Sequence, residues 1–255
     1  MYEQDQYPES NYPPPQPARL ELPQIVPYVT YSILGLTVLV YLAQMLSEAL
    51  LGGDIPAYFG MKINEFIVAG ELWRLFTPAL LHGSILHIGF NMYALFIFGT
   101  GLERFFGHGR FLMLYLAGAF AGNVFSFLIT PNPSLGASTA VFGLIGAQAV
   151  FLYRHRELFG EQARSSLQSI LFIAGINFVI GLQPGIDNWG HLGGLLGGLI
   201  FAWFGGPKLI VEGLYPHLQI KDEHGNIQAA TATLIVLFIF GMLTIIGMGV
   251  FGFTL

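Results

Sequence analysis

Residues 188–206 read NWGHLGGLLGGLIFAWFGG, and this run decides the architecture. It is apolar and uncharged, with Gly190, Gly194 and Gly198 on one helical stripe and Gly193 and Gly197 beside it. Small residues four apart let helix backbones approach closely in lipid, where neighbouring tails are as apolar as any core side chain. Near its start sits His191, and an ionisable residue inside a membrane span is costly enough to mark function. The run therefore reads as a tightly packed transmembrane helix with one reactive group near its end.

The rest of the chain agrees. Of 255 residues 54% are hydrophobic and only 10% charged, with no cysteine and a net charge of −5. Soluble domains carry roughly 25% charged residues, so a soluble domain is excluded, as are a disordered chain and a disulfide scaffold. Cysteine chemistry is absent, and an acidic chain without a basic cluster argues against nucleic acid as partner. Seven apolar stretches follow one another at 27–50, 84–102, 111–129, 138–153, 167–182, 188–204 and 230–254. A crossing helix needs about 20 apolar residues, with a lower limit near 17. The fourth and fifth stretches are only 16 residues long. A short helix is tolerated where its missing part is loop buried in protein. The preceding ITPNPSLGAS (129–138), with two prolines and a glycine, has that character. The expected fold class is an all-α membrane protein: a six-helix transmembrane core over 27–206, a loop over 207–229 and a seventh helix over 230–255.

Residues 1–26, rich in Pro, Gln, Tyr and acids, cannot bury enough apolar surface to offset ordering entropy and are expected to be a disordered tail. With that tail cytoplasmic, the inner segments hold Arg19, Arg104, Arg110, Arg154, Arg156, Arg164, Lys208 and Lys221, and the outer ones only Lys62 and Arg74. This asymmetry places the N-terminus inside and the C-terminus outside. The outer segment GGDIPAYFGMKINEFIVAGELWRLFTPALLHG (52–83) mixes apolar residues with turn signals and fits a structure lying in the membrane interface.

No Asp, Glu, Lys or Arg lies mid-span. The polar residues are His87 and Asn91 in the second span, Asn123 and Ser126 in the third, Ser138 and Gln148 in the fourth, Asn177 in the fifth and His191 in the sixth. Spans two, four and six run in one direction. His87 with Asn91, Ser138 and His191 lie near their starts and therefore share one depth. A serine, a histidine and further donors at one level can serve as nucleophile, general base and oxyanion hole. The helix-start position of Ser138 aims backbone N–H groups at a developing negative charge. Asn123, Gln148 and Asn177 read as interhelical hydrogen-bonding groups, Ser126 as a donor to a backbone carbonyl, and His82 as a loop residue supporting the site. Asp187, four residues before His191, could orient it as in a triad, but its place where the chain leaves the bilayer reads as hydrated.

The motifs WRLFTPALLHGSILHIGFN (73–91), GAST (136–139) and GHLGGLLGG (190–198), in that order, closely resemble those of rhomboid intramembrane serine proteases over about residues 60–205. The resemblance implies a Ser138–His191 dyad without an acid, with His87, Asn91 and the Ser138 N–H forming the oxyanion hole. Gly136, Phe142 and His82 would support the site. Trp73 and Arg74 match the first-loop Trp-Arg pair, and Glu103 with Arg104 the motif after the second span; these four are structural in the family. The implied activity is hydrolysis of peptide bonds in or near transmembrane segments of membrane-protein substrates, within the lipid bilayer and without cofactor or metal. A short chain with no recognisable targeting peptide is expected in a bacterial plasma membrane. Two positions depart: Thr139 stands where glycine usually follows the serine, and Phe142 where Tyr often stacks on the histidine. A rhomboid-like binding protein lacking activity is the alternative that Thr139 keeps open, although both Ser138 and His191 are present. No His-Glu-x-x-His or intraspan aspartate pair points to another protease class, and no mid-membrane charge or inverted repeat points to a transporter.

The charge asymmetry is testable. With single cysteines placed at Ser134 and Gln162, an impermeant thiol reagent should label the first in intact cells and not the second; the reverse pattern overturns the orientation.

Overall fold

The computed structural model describes residues 19–21, 25–214 and 217–252. Seven long helices carry the chain: α1 (Tyr28–Leu51), α4 (Ile85–Phe106), α5 (His108–Ile129), α6 (Ser138–Arg154), α7 (Arg156–Ile180), α8 (Asn188–Gly205) and α9 (Asn226–Gly252). Two short helices, α2 (Ile55–Gly60) and α3 (Asn64–Val68), and two 3-10 turns at 72–75 and 77–80 fill the segment between α1 and α4. That segment exposes Tyr58, Phe59, Leu72 and Trp73, in keeping with an interfacial position. Five helices, α1, α4, α5, α7 and α9, are long and apolar enough to cross a membrane. The other two are the 17-residue α6 and the glycine-rich, 18-residue α8.

These two form the middle of the bundle together with α5, the most enclosed of the long apolar helices. The α6–α8 and α5–α6 contacts run backbone on backbone. A Cβ at Gly194 would lie 2.0 Å from the Thr139 carbonyl oxygen, one at Gly198 1.9 Å from that of Gly143, and one at Gly143 2.9 Å from Cα of Gly118 on α5. The glycine stripe is thus the surface on which α5 and α6 close over α8. Around this centre α9 packs on α5 and α8, α1 on α4, and α7 chiefly on α6.

Helix α1 begins without a side-chain cap of its own. Buried Glu103 of α4 supplies it, accepting from the N–H groups of Val29 (2.9 Å) and Thr30 (2.8 Å) and from the Thr30 hydroxyl (2.6 Å). This satisfies donors that a helix start leaves orphaned.

Two expectations need correction. The fifth helix starts at Arg156, well before 167, because Glu157, Glu161 and Arg164 are good helix formers that an uncharged-run criterion passes over. A break at Gly160 (φ 53°) separates that first turn from the apolar part. In the segment expected to be a loop, strands β2 (Leu209–Leu214) and β3 (His217–Asp222) form an antiparallel pair, and β1 (Arg19–Glu21) joins β3 in parallel. Arg19–Glu21 thus departs from the disordered reading, since the β3 edge supplies backbone partners that composition does not reveal. Most of the remaining expected tail, residues 1–18 and 22–24, lies outside the described residues. His155 at the end of α6 accepts from the N–H of Leu209 (2.9 Å), and Arg110 of α5 binds Asp222 (2.7 Å), fastening the hairpin to the bundle.

Replacing Gly198 by Ala should destabilise the protein by about 1–3 kcal/mol through overpacking. Gly89→Ala, where a Cβ meets nothing within 4 Å, should be neutral or slightly stabilising. Equilibrium unfolding in mixed micelles measures both.

Candidate active site

Ser138 is the first residue of α6, so no preceding turn of its own helix takes its N–H. The chain reaches it through Gly136, whose φ of +137° is open to glycine and strained for other residues. The Gly136 N–H donates to the Pro78 carbonyl (2.9 Å), tying the loop to the interfacial segment. A Cβ at Gly136 would lie 2.7 Å from Nε2 of His87, so the glycine is also what lets the His87 ring approach Ser138.

His191 lies in the first turn of α8, which Asp187 caps by accepting from the Gly190 N–H (2.9 Å). Its Nε2 stands 2.9 Å from the Ser138 hydroxyl oxygen. Phe142, one turn beyond Ser138, stacks on the imidazole at 4.4 Å between centroids and 8° between planes. The Phe at this position therefore retains the stacking face. Nδ1 of His191 is buried without a partner among the described residues. Asp187 does not supply one: its second oxygen accepts from the Ser126 hydroxyl. That contact also replaces the backbone carbonyl expected as the partner of Ser126.

On α4, Ser84 caps the helix by accepting from the His87 N–H (3.2 Å), setting His87 in the first turn and Asn91 one turn on. Asn91 is buried, and its side-chain nitrogen has no partner among the described residues. His82 is buried behind the loop, and its Nε2 accepts from the Ala137 N–H at 3.4 Å. Burial, with His87 5.0 Å away ring to ring, pushes its pKa down to about 3, so it stays neutral and able to accept. The loop carrying His82 is held by Gln44 of α1, which accepts from the His82 N–H (3.0 Å) and donates to Asp54 (2.7 Å). Gln44 escaped the sequence reading, though it is a lone amide in the first apolar run.

Trp73 donates to the Phe59 carbonyl (3.0 Å), and buried Arg74 to those of Tyr58 (3.0 Å) and Met61 (2.8 Å) while pairing with Glu71 (2.7 Å). Asn123 donates to the Leu75 carbonyl (3.1 Å), joining α5 to the interfacial segment rather than to another helix. Exposed Asn177 donates to Ile173 of its own helix, so it is not the interhelical group expected. Gln148 is half-buried in α6, and Arg104 is exposed beside buried Glu103.

Thr139 is buried in the helix interface. It faces Gly122 of α5, where a Cβ would lie 2.5 Å from its own, and Gly190 of α8, where a Cβ would lie 3.2 Å from its methyl. The methyl-bearing side chain thus occupies room that two glycines leave on neighbouring helices.

The family model of the rhomboid domain matches residues 69–208, which contain all of these groups except the α1 and α2 supports and the partners of Trp73 and Arg74. The chain belongs to the rhomboid family. It is similar to rhomboid protease GluP of Bacillus subtilis strain 168 (38% identical over 177 residues, 69% of this chain and 34% of GluP). It is also similar to RHOMBOID-like protein 9, chloroplastic, of Arabidopsis thaliana (35% over 157 residues, 61% and 36%). YdcA of B. subtilis strain 168 is 34% identical over 142 residues, 55% of this chain and 70% of its own length. The matched region spans about a third of the first two relatives. Family and apolar helices together make this rhomboid an integral membrane protein.

The fit at Thr139 predicts coupling. Gly122→Ala should cost about 1–3 kcal/mol by overpacking. Adding Thr139→Gly should recover part of that loss but not all, since the Gly190 carbonyl oxygen remains 2.7 Å from the new methyl carbon. A double-mutant cycle on unfolding free energy reads the coupling.

Proposed function

We propose that this rhomboid is a serine endopeptidase that cuts peptide bonds in or near transmembrane segments of membrane-protein substrates, with Ser138 and His191 as its catalytic pair. The single observation that carries the reading is the 2.9 Å contact between the Ser138 hydroxyl and His191 Nε2. The name of GluP, a rhomboid protease, supports it. Ser138 donates its proton to Nε2 as its oxygen attacks the scissile carbonyl carbon. Negative charge then develops on the carbonyl oxygen, and three donors serve it: the Ser138 N–H, the unpartnered Asn91 amide and the His87 imidazole. The imidazolium returns the proton to the leaving amine as the C–N bond breaks, leaving an ester on Ser138. Water, deprotonated by His191, hydrolyses that ester. Ser138 is half-buried at the start of α6.

With no partner on Nδ1 among the described residues, Phe142 stacking and the α8 backbone orient the ring in place of an acid. We further propose that all seven long helices cross, six forming the core and α9 the addition. The basic-rich face would be cytoplasmic, in a bacterial plasma membrane.

Ser138→Ala and His191→Ala should each abolish cleavage, and the double variant should be hardly worse than either, because residues acting as a unit are strongly non-additive. Asn91→Ala should lower kcat by about 10²–10³-fold while the protein stays folded. Asp187→Asn should cost far less than His191→Ala. Turnover by Ser138→Ala overturns the serine-protease reading, and a loss in Asp187→Asn equal to that of His191→Ala replaces the dyad by a triad. The readout is cleavage of a transmembrane reporter in micelles, with fluorophosphonate labelling of Ser138.

A further inference from the structure

Lys62 lies in the interfacial segment and is 0% exposed, although the proposed chemistry does not use it. Its ammonium donates to the carbonyls of Thr130 (2.7 Å) and Asn132 (2.9 Å), with that of Ser126 at 3.5 Å. Its backbone pairs with Ser134 in both directions: Lys62 N–H to the Ser134 carbonyl (2.9 Å) and Ser134 N–H to the Lys62 carbonyl (3.1 Å). Ser134 is four residues before Ser138. On the other side, the Ser126 hydroxyl stands 3.4 Å from that of Ser134 and bonds Asp187, which caps the helix carrying His191. One buried cation therefore sits where the approach to Ser138 and the start of α8 meet, and touches neither reactive side chain.

We propose that Lys62 is a positioning residue for the Ser138–His191 pair: its charge and donors lock the 130–134 loop against the Ser126–Asp187 contact at the start of α8. The inference rests on the protease reading above. The chemistry favours it over simple packing. A buried ammonium is costly unless it is paired and hydrogen-bonded, and this one is met by three carbonyls and feels the field of two acids. The acids are Asp187 at the start of α8 and Glu65 on α3. From α5 it meets the Ser126 and Thr130 carbonyls, and from the following loop the Asn132 carbonyl.

The charge also gives the lock a pH dependence. Burial pushes the Lys62 pKa from 10.5 down to about 8, against the pull of Asp187 and Glu65. Above that pH the neutral amine keeps its donors to the loop carbonyls but no longer attracts Asp187 and Glu65, and the Ser138–His191 pair loosens. The sign for stability is opposite. Between about 8 and 10.5 the unfolded chain holds more protons than the folded one, so this group's contribution to stability rises with pH. A residue that served only the fold would move activity and stability together. A positioning lysine moves them apart.

The test uses the full chain in micelles with a fluorophosphonate probe, separating the limiting labelling rate of Ser138 from the probe's half-saturating concentration between pH 6.5 and 9.5. In the unaltered protein the limiting rate should fall through about pH 8 while thermal stability does not. Lys62→Met should lower the rate at pH 7 by roughly 10–10²-fold, the scale of a misplacement near 1 Å. It should leave half-saturation unchanged and remove the alkaline fall; Lys62→Arg, always charged, should restore part of the rate and also lack the fall. A Lys62→Met protein labelling at the unaltered rate, or keeping the alkaline fall, overturns the proposal. Should Lys62→Met fail to fold, a flat profile in the unaltered protein overturns it instead. Absence of any labelling of the unaltered protein at Ser138 overturns the protease reading, a result distinct from the others.

Discussion

The architecture depends on one constraint, the absence of side chains on the glycine face of α8 that meets α5 and α6. Carbonyl oxygens of α6 lie where the Cβ atoms of Gly194 and Gly198 would be, so the two helices touch through their backbones. In lipid no difference in hydrophobicity pulls helices together, and close packing and backbone contact must do so. The reactive pair inherits its geometry from this contact. Ser138 and His191 stand at the same end of the two touching helices, close enough to share a proton because the glycines of α8 let its backbone come up against that of α6.

A second tier of structure solves a different difficulty. The segment between α1 and α4 and the loop before α6 are irregular, and each carbonyl they bury needs a donor. The donors are long or amide side chains: Arg74 for Tyr58 and Met61, Lys62 for Thr130 and Asn132, Asn123 for Leu75. Gln44 does the same for the backbone of His82. These groups hold the polar chain stiffly over the site, and their own burial costs are offset only because nearly every donor finds an acceptor.

Much of this was legible from residues alone. The seven apolar runs fall on the seven long helices, since a run of apolar residues has few alternatives to a helix in lipid. His87, Asn91, Ser138 and His191 could be assigned one depth because helix direction fixes it, and the structure sets His191 against Ser138 and His87 against Gly136. What escaped the sequence was tertiary. Gln44 and Lys62 act on partners 38 and about 70 residues away, and nothing in their own neighbourhood announces it. Asn177 looked like an interhelical donor because span position says nothing about which face of a helix a residue occupies. Thr139 looked like an obstacle at the site because the compensating space, Gly122, belongs to another helix.

The small sheet carries a topological consequence. β1 pairs with β3 through backbone hydrogen bonds, so residues 19–21 and 217–222 must end on the same side of any bilayer the chain spans. The number of crossings between Glu21 and His217 must then be even. Six long helices lie between those strands, and α2 and α3 are too short to add one. A chain in which a single helix failed to insert would carry its two strands to opposite sides and could not close the sheet. Strand pairing thus works as a parity check on insertion, passed only when the intervening helices are threaded in even number.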